Sequence, residues 1–303
     1  MTQPNTPSVL SIDVEDWFHI LDSPASPQIS EWSRLPLRAH LVVEKLLEIL
    51  DRTSTRATFF WLGWMAERFP ELVRGCRDAG HEIASHGYGH VLAYDAGPRA
   101  FEDDIVRAKD LLESIIGQRV RGFRAPGFGI TTKAPWAFDV IKAAGYEYDS
   151  SVFPVSRGHG GLPGTPVGPY LIQTQHGTLP EIPMSVVRLL GRHVCLFGGG
   201  YLRVSPKPLI RWGLGRLRKA GMPLVVYLHP RELDPDHPRL PLGMLRRFKS
   251  YVNLKSTQPK LQWLCESRDF VTMGSLANDV ALSATDEPIR LLVPFPEEKR
   301  KSA

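Results

Sequence analysis

Gly80-His81-Glu82-Ile83-Ala84-Ser85-His86-Gly87-Tyr88-Gly89-His90 is a short apolar segment that runs into two histidines four positions apart. Gly87 and Gly89 favour a loop after a strand over a helix, because glycine inside a helix costs about 1 kcal/mol relative to alanine. A loop folded at those glycines can bring His86 and His90 to one ion, as a helical i,i+4 pair also could. Read as a strand that ends in a polar loop, the segment sets the pattern to look for elsewhere in the chain.

The same pattern recurs outward from it. Residues 9–12 form a strand that enters Asp13-Val14-Glu15-Asp16-Trp17-Phe18-His19. Carboxylates at the end of a buried strand are costly unless paired, hydrogen-bonded or bound to metal. On a pleated strand Asp13 and Glu15 share a face, and Asp16 joins them only where the chain has already turned. Further apolar strands are predicted at 57–61, 82–85, 120–124, 146–148, 179–187 and 224–228. Helices are predicted at 38–50, at 64–79 with a break near Pro70, at 98–116 ended by Gly117, and at 133–144 closed by Gly145. Two more are expected at 205–221, capped by Ser205, and at 257–267, while 154–177 reads as a long loop or lid.

About seven strands, mostly separated by helices and continuously apolar, are the signature of a parallel sheet buried on both faces. No GxGxxG opens a helix after the first strand, and Gly198-Gly199-Gly200 lacks the context of a phosphate loop. A barrel or distorted barrel of α/β class follows. Residues 13–16, 86–90, 124–127, Asp149 and His229 all lie just past the carboxyl ends of predicted strands, and in βα barrels those ends build one pocket.

Composition sets the bounds. The 303 residues can bury a large core as one domain, expected at 8–275 with a peripheral tail at 276–303. A formal charge of +5 favours an anionic partner weakly, yet no lysine- and arginine-rich stripe interleaved with aromatics points to nucleic acid. The amino terminus has neither a basic start nor an apolar run, and no stretch is apolar enough to span a membrane, so a cytoplasmic location is expected. Cys76, Cys195 and Cys265 have no metal-ribbon spacing and read as reduced thiols. Oligomeric state is not legible.

Together these stretches resemble the polysaccharide deacetylase family, the NodB-homology carbohydrate esterases. Within it they resemble the branch found with exopolysaccharide loci in bacteria that sort proteins by a PEP-containing carboxyl-terminal signal. The resemblance rests on residues 13–19, 57–60, 81–90, Arg124-Ala125-Pro126-Gly127-Phe128, 148–154, 198–201 and 227–235, which occur in family order. It implies a distorted (β/α)7 barrel, a single divalent ion, usually zinc with cobalt as an alternative, and hydrolysis of an N-acetyl group on an amino sugar of a glycan. His86 and His90 match metal ligands, with either Glu15 or Asp16 as the third. Asp13 matches the catalytic base, Arg124 the arginine that holds it, His229 the general acid, and Asp149 loosely the residue that orients that acid.

Under that reading Asp13 takes a proton from water, a backbone N–H near 126–128 holds the oxyanion, and His229 protonates the leaving nitrogen. Trp17, Tyr88, Pro126 and Phe128 are the expected substrate groove, with Trp61 also a candidate for stacking on sugar. His19 is either a groove residue or packed locally, and His81, at the start of its strand, is expected to be structural. Two other functions compete: hydrolysis of a small cyclic amide such as a ureide, as in allantoinase-like relatives, and a catalytically silent carbohydrate-binding scaffold. The second needs no base and acid together, which argues against it.

Overall fold

A computed structural model describes residues 7–21, 23–283 and 287–289. The chain alternates strand and helix from the start. All seven residues of β1, Ser8–Val14, are buried, as a central parallel strand requires. The helix α1, Ala39–Arg52, turns Val42, Val43, Leu46, Ile49 and Leu50 inward at helical spacing. Then come β2, Thr58–Trp61, and two helices, α2, Gly63–Arg68, and α3, Pro70–Asp78. Phe69 separates them, and Pro70 takes the first position of α3, where its missing N–H costs nothing. Next are β3, Glu82–Ser85, and α4, Ala93–Ile116. Gly97, at φ 76°, breaks α4 just before Pro98, and Gly117 ends it in the left-handed conformation.

The chain continues with β4, Gly122–Phe123, α5, Ala137–Ala143, and β5, Tyr148–Asp149. The stretch expected to be an unbroken loop to 177 contains a strand, β6, Tyr170–Thr174, which forms an antiparallel hairpin with β7, Gly177–Glu181. A small ribbon of β8, Val187–Leu189, and β9, Arg192–Val194, precedes α6, Gly199–Val204, and α7, Lys207–Lys219. Ser205 ends α6, and Pro206 occupies the amino-terminal cap of α7 that was expected at Ser205. The remainder is β10, Leu224–Leu228, α8, Met244–Tyr251, α9, Thr257–Ser267, β11, Phe270–Val271, and α10, Met273–Ser283.

The main sheet runs β10-β1-β2-β3-β4-β5-β7-β6, with β11 pairing β1 off this path. From β10 to β7 its seven strands are parallel, and β6 adds an antiparallel edge. This is the α/β class and seven-stranded distorted barrel expected from the sequence. The barrel is curled rather than closed, since β6 and β10 do not pair. The stretch beginning at 276 does not start outside the core: Leu276 and Ala277 on α10 are buried. The charged run at 297–301 lies outside the described residues. Among the described residues no helix is long and apolar enough to cross a membrane. The three cysteines are free and buried, and burial pushes the thiols up, to about 12 for Cys76 and about 11 for Cys195 and Cys265.

Candidate active site

The carboxyl ends of β1, β3, β4 and β10 meet around Asp13. Arg124 follows β4 and is fully buried. Its Nη1 donates to Asp13 Oδ1 at 2.7 Å and to Ser11 Oγ at 2.8 Å, while Nε and Nη2 donate to Ser150 O and Ser150 Oγ. Its Cζ sits 4.1 Å from the ring centre of Phe60. A buried charge is tolerable only when paired and hydrogen-bonded in this way. The Asp13 carboxylate is thereby fixed in position, with Oδ2 left toward His229 Nε2 at 3.9 Å.

One step on, the chain turns: Glu15 N–H donates back to Asp13 O at 3.0 Å. The turn sends Glu15 to the two histidines. Its Oε2 lies 2.5 Å from His90 Nε2, and its Oε1 lies 3.1 Å from His229 Nε2 and 3.3 Å from Arg231 Nη1. Burial raises the Glu15 carboxyl, but His90, Arg231 and His229 outweigh it and hold the group well below the ordinary carboxylate range. His86 Nδ1 is 2.7 Å from Arg124 O, so it must carry the hydrogen, and Nε2 is left with its lone pair. Burial lowers the His86 imidazole to about 4, which keeps it neutral.

Ligand atoms of Glu15, His86 and His90 lie within 4.8 Å of one another, and among the described residues this is the one such cluster. Two imidazole nitrogens and a carboxylate suit a divalent ion of the zinc type, and all three side chains are buried, with the free Nε2 lone pair of His86 turned to no protein donor among the described residues. These residues therefore fit the metal that the sequence implies.

The loop after β3 is shaped to present the histidines. Gly87, at φ 74°, and His90, at φ 53°, are both in the left-handed region, which rules out the helical alternative. The loop carbonyls of Gly87 and Tyr88 accept the first N–H groups of α2, from Gly63 at 2.7 Å and Trp64 at 3.2 Å. Asp104 on α4 accepts Tyr88 N–H and Gly89 N–H, each at 2.8 Å.

Several expected residues stand elsewhere. Asp16 is not at the cluster: Oδ2 accepts Arg38 N–H and Ala39 N–H, capping α1, and Oδ1 accepts Trp17 N–H. The turn after Val14 points consecutive acids apart. Asp149 does not orient His229; it accepts from Ser151 N–H and Ser151 Oγ and faces Glu181. The carboxylate beside His229 Nδ1 is Glu232, at 3.5 Å. Glu232 is held by Arg203 at 2.7 Å, and Arg203 in turn donates to the carbonyls of Val252, Lys249 and Ser250. Burial raises Glu232, but Arg203 and His229 prevail and bring it down to about 2.

These groups open into a cavity of about 320 Å³ lined by Asp13, Glu15, His90 and His229. Phe128 and His19 also line it, whereas Trp17, Tyr88 and Pro126 do not. Trp17 is buried and donates to Pro36 O, and Tyr88 donates to Glu67 beneath the Arg107 guanidinium. Phe128 N–H is engaged by Ala125 O, and Trp61 is fully buried. His81, at the opposite end of β3, accepts Ala57 N–H as a structural group. A larger hollow of about 940 Å³ sits at the amino ends of β2 and β11, away from these side chains.

Sequence reasoning missed Glu232, Arg203 and Asp104. The first has a local signal, a carboxylate three residues after His229 with proline between. Asp104 interrupts the apolar stripe Phe101, Ile105, Ala108, where a polar residue asks for a partner. Arg203 comes from a distant helix and has none.

Residues 36–148 match the family model described as Polysaccharide deacetylase, and residues 150–278 match a domain of unknown function, DUF3473. The chain is 32% identical over 126 residues to the peptidoglycan deacetylase-like protein FGM2 of Gibberella zeae, covering 41% of this chain and 36% of that protein. It is 32% identical to a peptidoglycan-N-acetylglucosamine deacetylase of Bacillus cereus, over 34% of this chain and 46% of that one. To a chitooligosaccharide deacetylase of Azorhizobium caulinodans it is 38% identical, over 28% and 41%. The chain thus spans less than half the length of each of these relatives. Among solved structures, a Mycobacterium smegmatis protein assigned to the polysaccharide deacetylases superposes with a TM-score of 0.62 at 22% identity, covering 97% of both chains. A similarly assigned protein of Pseudomonas aeruginosa PAO1 gives 0.60 at 16%, covering 93% and 92%. At these identities the likeness is one of fold. The sequence matches support the polysaccharide deacetylase family for this chain.

Proposed function

We propose that the chain is a metal-dependent N-deacetylase that hydrolyses the acetamide of an N-acetylated amino sugar in a polysaccharide or its precursor, releasing acetate. The observation that carries this reading is the convergence of three units on one cavity: the Asp13–Arg124 pair, the Glu15, His86 and His90 cluster, and His229. The sequence matches to peptidoglycan and chitooligosaccharide deacetylases favour the same chemistry. A role in exopolysaccharide assembly rests on the likeness of the motif set alone.

Glu15, His86 and His90 would hold the ion, which when bound acidifies water and polarises the amide carbonyl. Asp13 is the base: Arg124 fixes one carboxylate oxygen, and the other faces the cavity to accept a proton from the attacking water. Gly127 lines the cavity, and its backbone N–H is the donor assigned to the oxyanion in this reading. His229 gives the proton without which the amine cannot leave, and the Glu232 carboxylate, 3.5 Å from its Nδ1, offsets the charge of the protonated ring. The products are a free amino sugar and acetate.

Acetate release from N-acetylated oligosaccharides tests the reading, with activity lost on chelation and regained with zinc or cobalt. His86→Ala should lose metal by elemental analysis, while Asp13→Asn should keep it and lose at least about 10²-fold in kcat. Full activity in both variants overturns the mechanism. A ureide cleaved much faster than any glycan selects the cyclic-amide hydrolase, and binding without turnover selects the silent scaffold.

A further inference from the structure

Of the arginines that line the cavity, Arg203 is taken up by Glu232, Arg231 by Glu15 and Arg246 by a hydrogen bond to Leu21 O. Arg157 is not. Its guanidinium carbon lies 4.7 Å from the ring centre of Phe153, 5.1 Å from that of Phe128 and 6.0 Å from that of Tyr227. No carboxylate among the described residues pairs with it, and its Nη1 is buried without an acceptor. Aromatic faces attract a guanidinium and fix its plane, but they offer no in-plane acceptor, so its N–H fork stays available.

The side chain is built into the wall. Arg157 N–H donates to Gly160 O, and Gly161 N–H donates to Phe128 O, so the tip of this loop is fastened to the segment after β4. A Cβ on Gly160 would come within 2.4 Å of Gly127 O, and only glycine permits that approach. Arg157 lines the same cavity as Asp13 and His229, and the Tyr227 ring that it borders lies 5.8 Å from the His229 ring. One aromatic ring therefore separates it from the proposed general acid, a separation on the scale of a sugar ring and its substituents. Exposed Lys249 at the cavity mouth adds to the positive potential.

We propose that Arg157 is an anion-recognition residue, and that the substrate is an acidic N-acetylated glycan bearing an oxyanion, carboxylate or phosphate, on or next to the sugar that is deacetylated. This rests on the deacetylase reading for the reaction but not for the binding. A guanidinium fork matches both oxyanions through paired hydrogen bonds, and a charged hydrogen bond of this kind changes affinity by about ten- to a hundredfold.

Metal-loaded protein is assayed for acetate release from three N-acetylated oligosaccharides of equal length, one neutral, one carrying uronates and one carrying phosphate. The wild type should favour at least one acidic substrate over the neutral one by tenfold or more in kcat/KM at low salt, and the favoured one identifies the oxyanion. Arg157→Gln should erase that preference through KM, and Arg157→Lys should restore part of it, with melting temperatures confirming that both variants fold. Equal use of neutral and acidic substrates by the wild type, or a preference that survives in Arg157→Gln, overturns the proposal. If no substrate releases acetate, the deacetylase reading fails separately, and calorimetric binding of the acidic oligosaccharides decides the subsite. Binding that weakens tenfold in Arg157→Gln sustains it, and unchanged or absent binding ends it.

Discussion

Arg124 is a buried cation whose donors go to Asp13, Ser11 and Ser150, so its removal leaves a buried carboxylate without its charge partner. Arg124→Met is accordingly expected to destabilise the fold by about 3–5 kcal/mol, read by urea unfolding, and to abolish turnover. Asp13→Asn removes the charge that needs the arginine and keeps an acceptor for it, so its stability loss should be the smaller. His229 depends on a longer chain of support. Glu232 sits behind its Nδ1, and Arg203 anchors Glu232 to the end of α8. Glu232→Gln should lower kcat by about 10²-fold with metal content unchanged, because it removes the charge that offsets the protonated ring without touching the ligands. The same change at Asp149 should leave His229 in place.

The loop between β3 and α4 acts as a unit, and its shape is set from outside. Asp104 accepts two successive loop N–H groups, and a Cβ on Gly87 would lie 2.6 Å from Asp104 Oδ2. Asp104→Ala leaves two part-buried donors unpaired, at up to about 1–3 kcal/mol each. It should also weaken zinc binding about 10- to 100-fold in a competition titration, as loss of outer support for ligands does elsewhere. Gly87→Ala meets both the contact and the positive φ, and should weaken zinc binding in the same assay. At this scale the sequence was most readable where a short buried run is bounded by turn residues: β3 and β10 fall within their expected limits because Gly80 and Gly87 flank the first, and Pro223 and Pro230 flank the β-branched run of the second. β6 and α10 were not readable. The strand lies in a glycine- and proline-rich stretch and exists through its hairpin partner, while α10 has a diffuse apolar face placed by the sheet it covers. The choice between Glu15 and Asp16 hung on a single turn after Val14 that no periodicity encodes.

Across the whole molecule the sheet has two thin seams, one where β3 meets β4 at Ser85 and Phe123 and one where β5 meets β7. β5 and β7 pair through a single register match, Asp149 with Glu181, and the two family-model matches meet beside it, at 148 and 150. Asp149 could not be read correctly from sequence for that reason: its partner arrives 32 residues later, through pairing alone. Both side chains are fully buried, Glu181 Oε1 accepts Val152 N–H, and Oε2 has no donor. A proton on one carboxyl supplies the missing donor. Burial raises both carboxyls, Glu181 further because Asp149 faces it. The folded seam therefore keeps a proton that the unfolded chain releases near pH 4. In the folded state more protons are bound, so this contribution to stability is complete below about pH 4 and falls as pH rises through the raised folded value. His86, lowered from 6.5 to about 4, acts in the opposite direction between those values and would mask the trend in the wild type alone, whereas Glu232, brought down to about 2, changes stability only below that window. Glu181→Gln isolates it, since its amide can accept Val152 N–H and donate to Asp149 at every pH. Melting curves of metal-free protein should show the variant gaining on the wild type as pH rises from about 5 to about 8. A gap that stays constant over that range would mean that the seam holds no titrating proton.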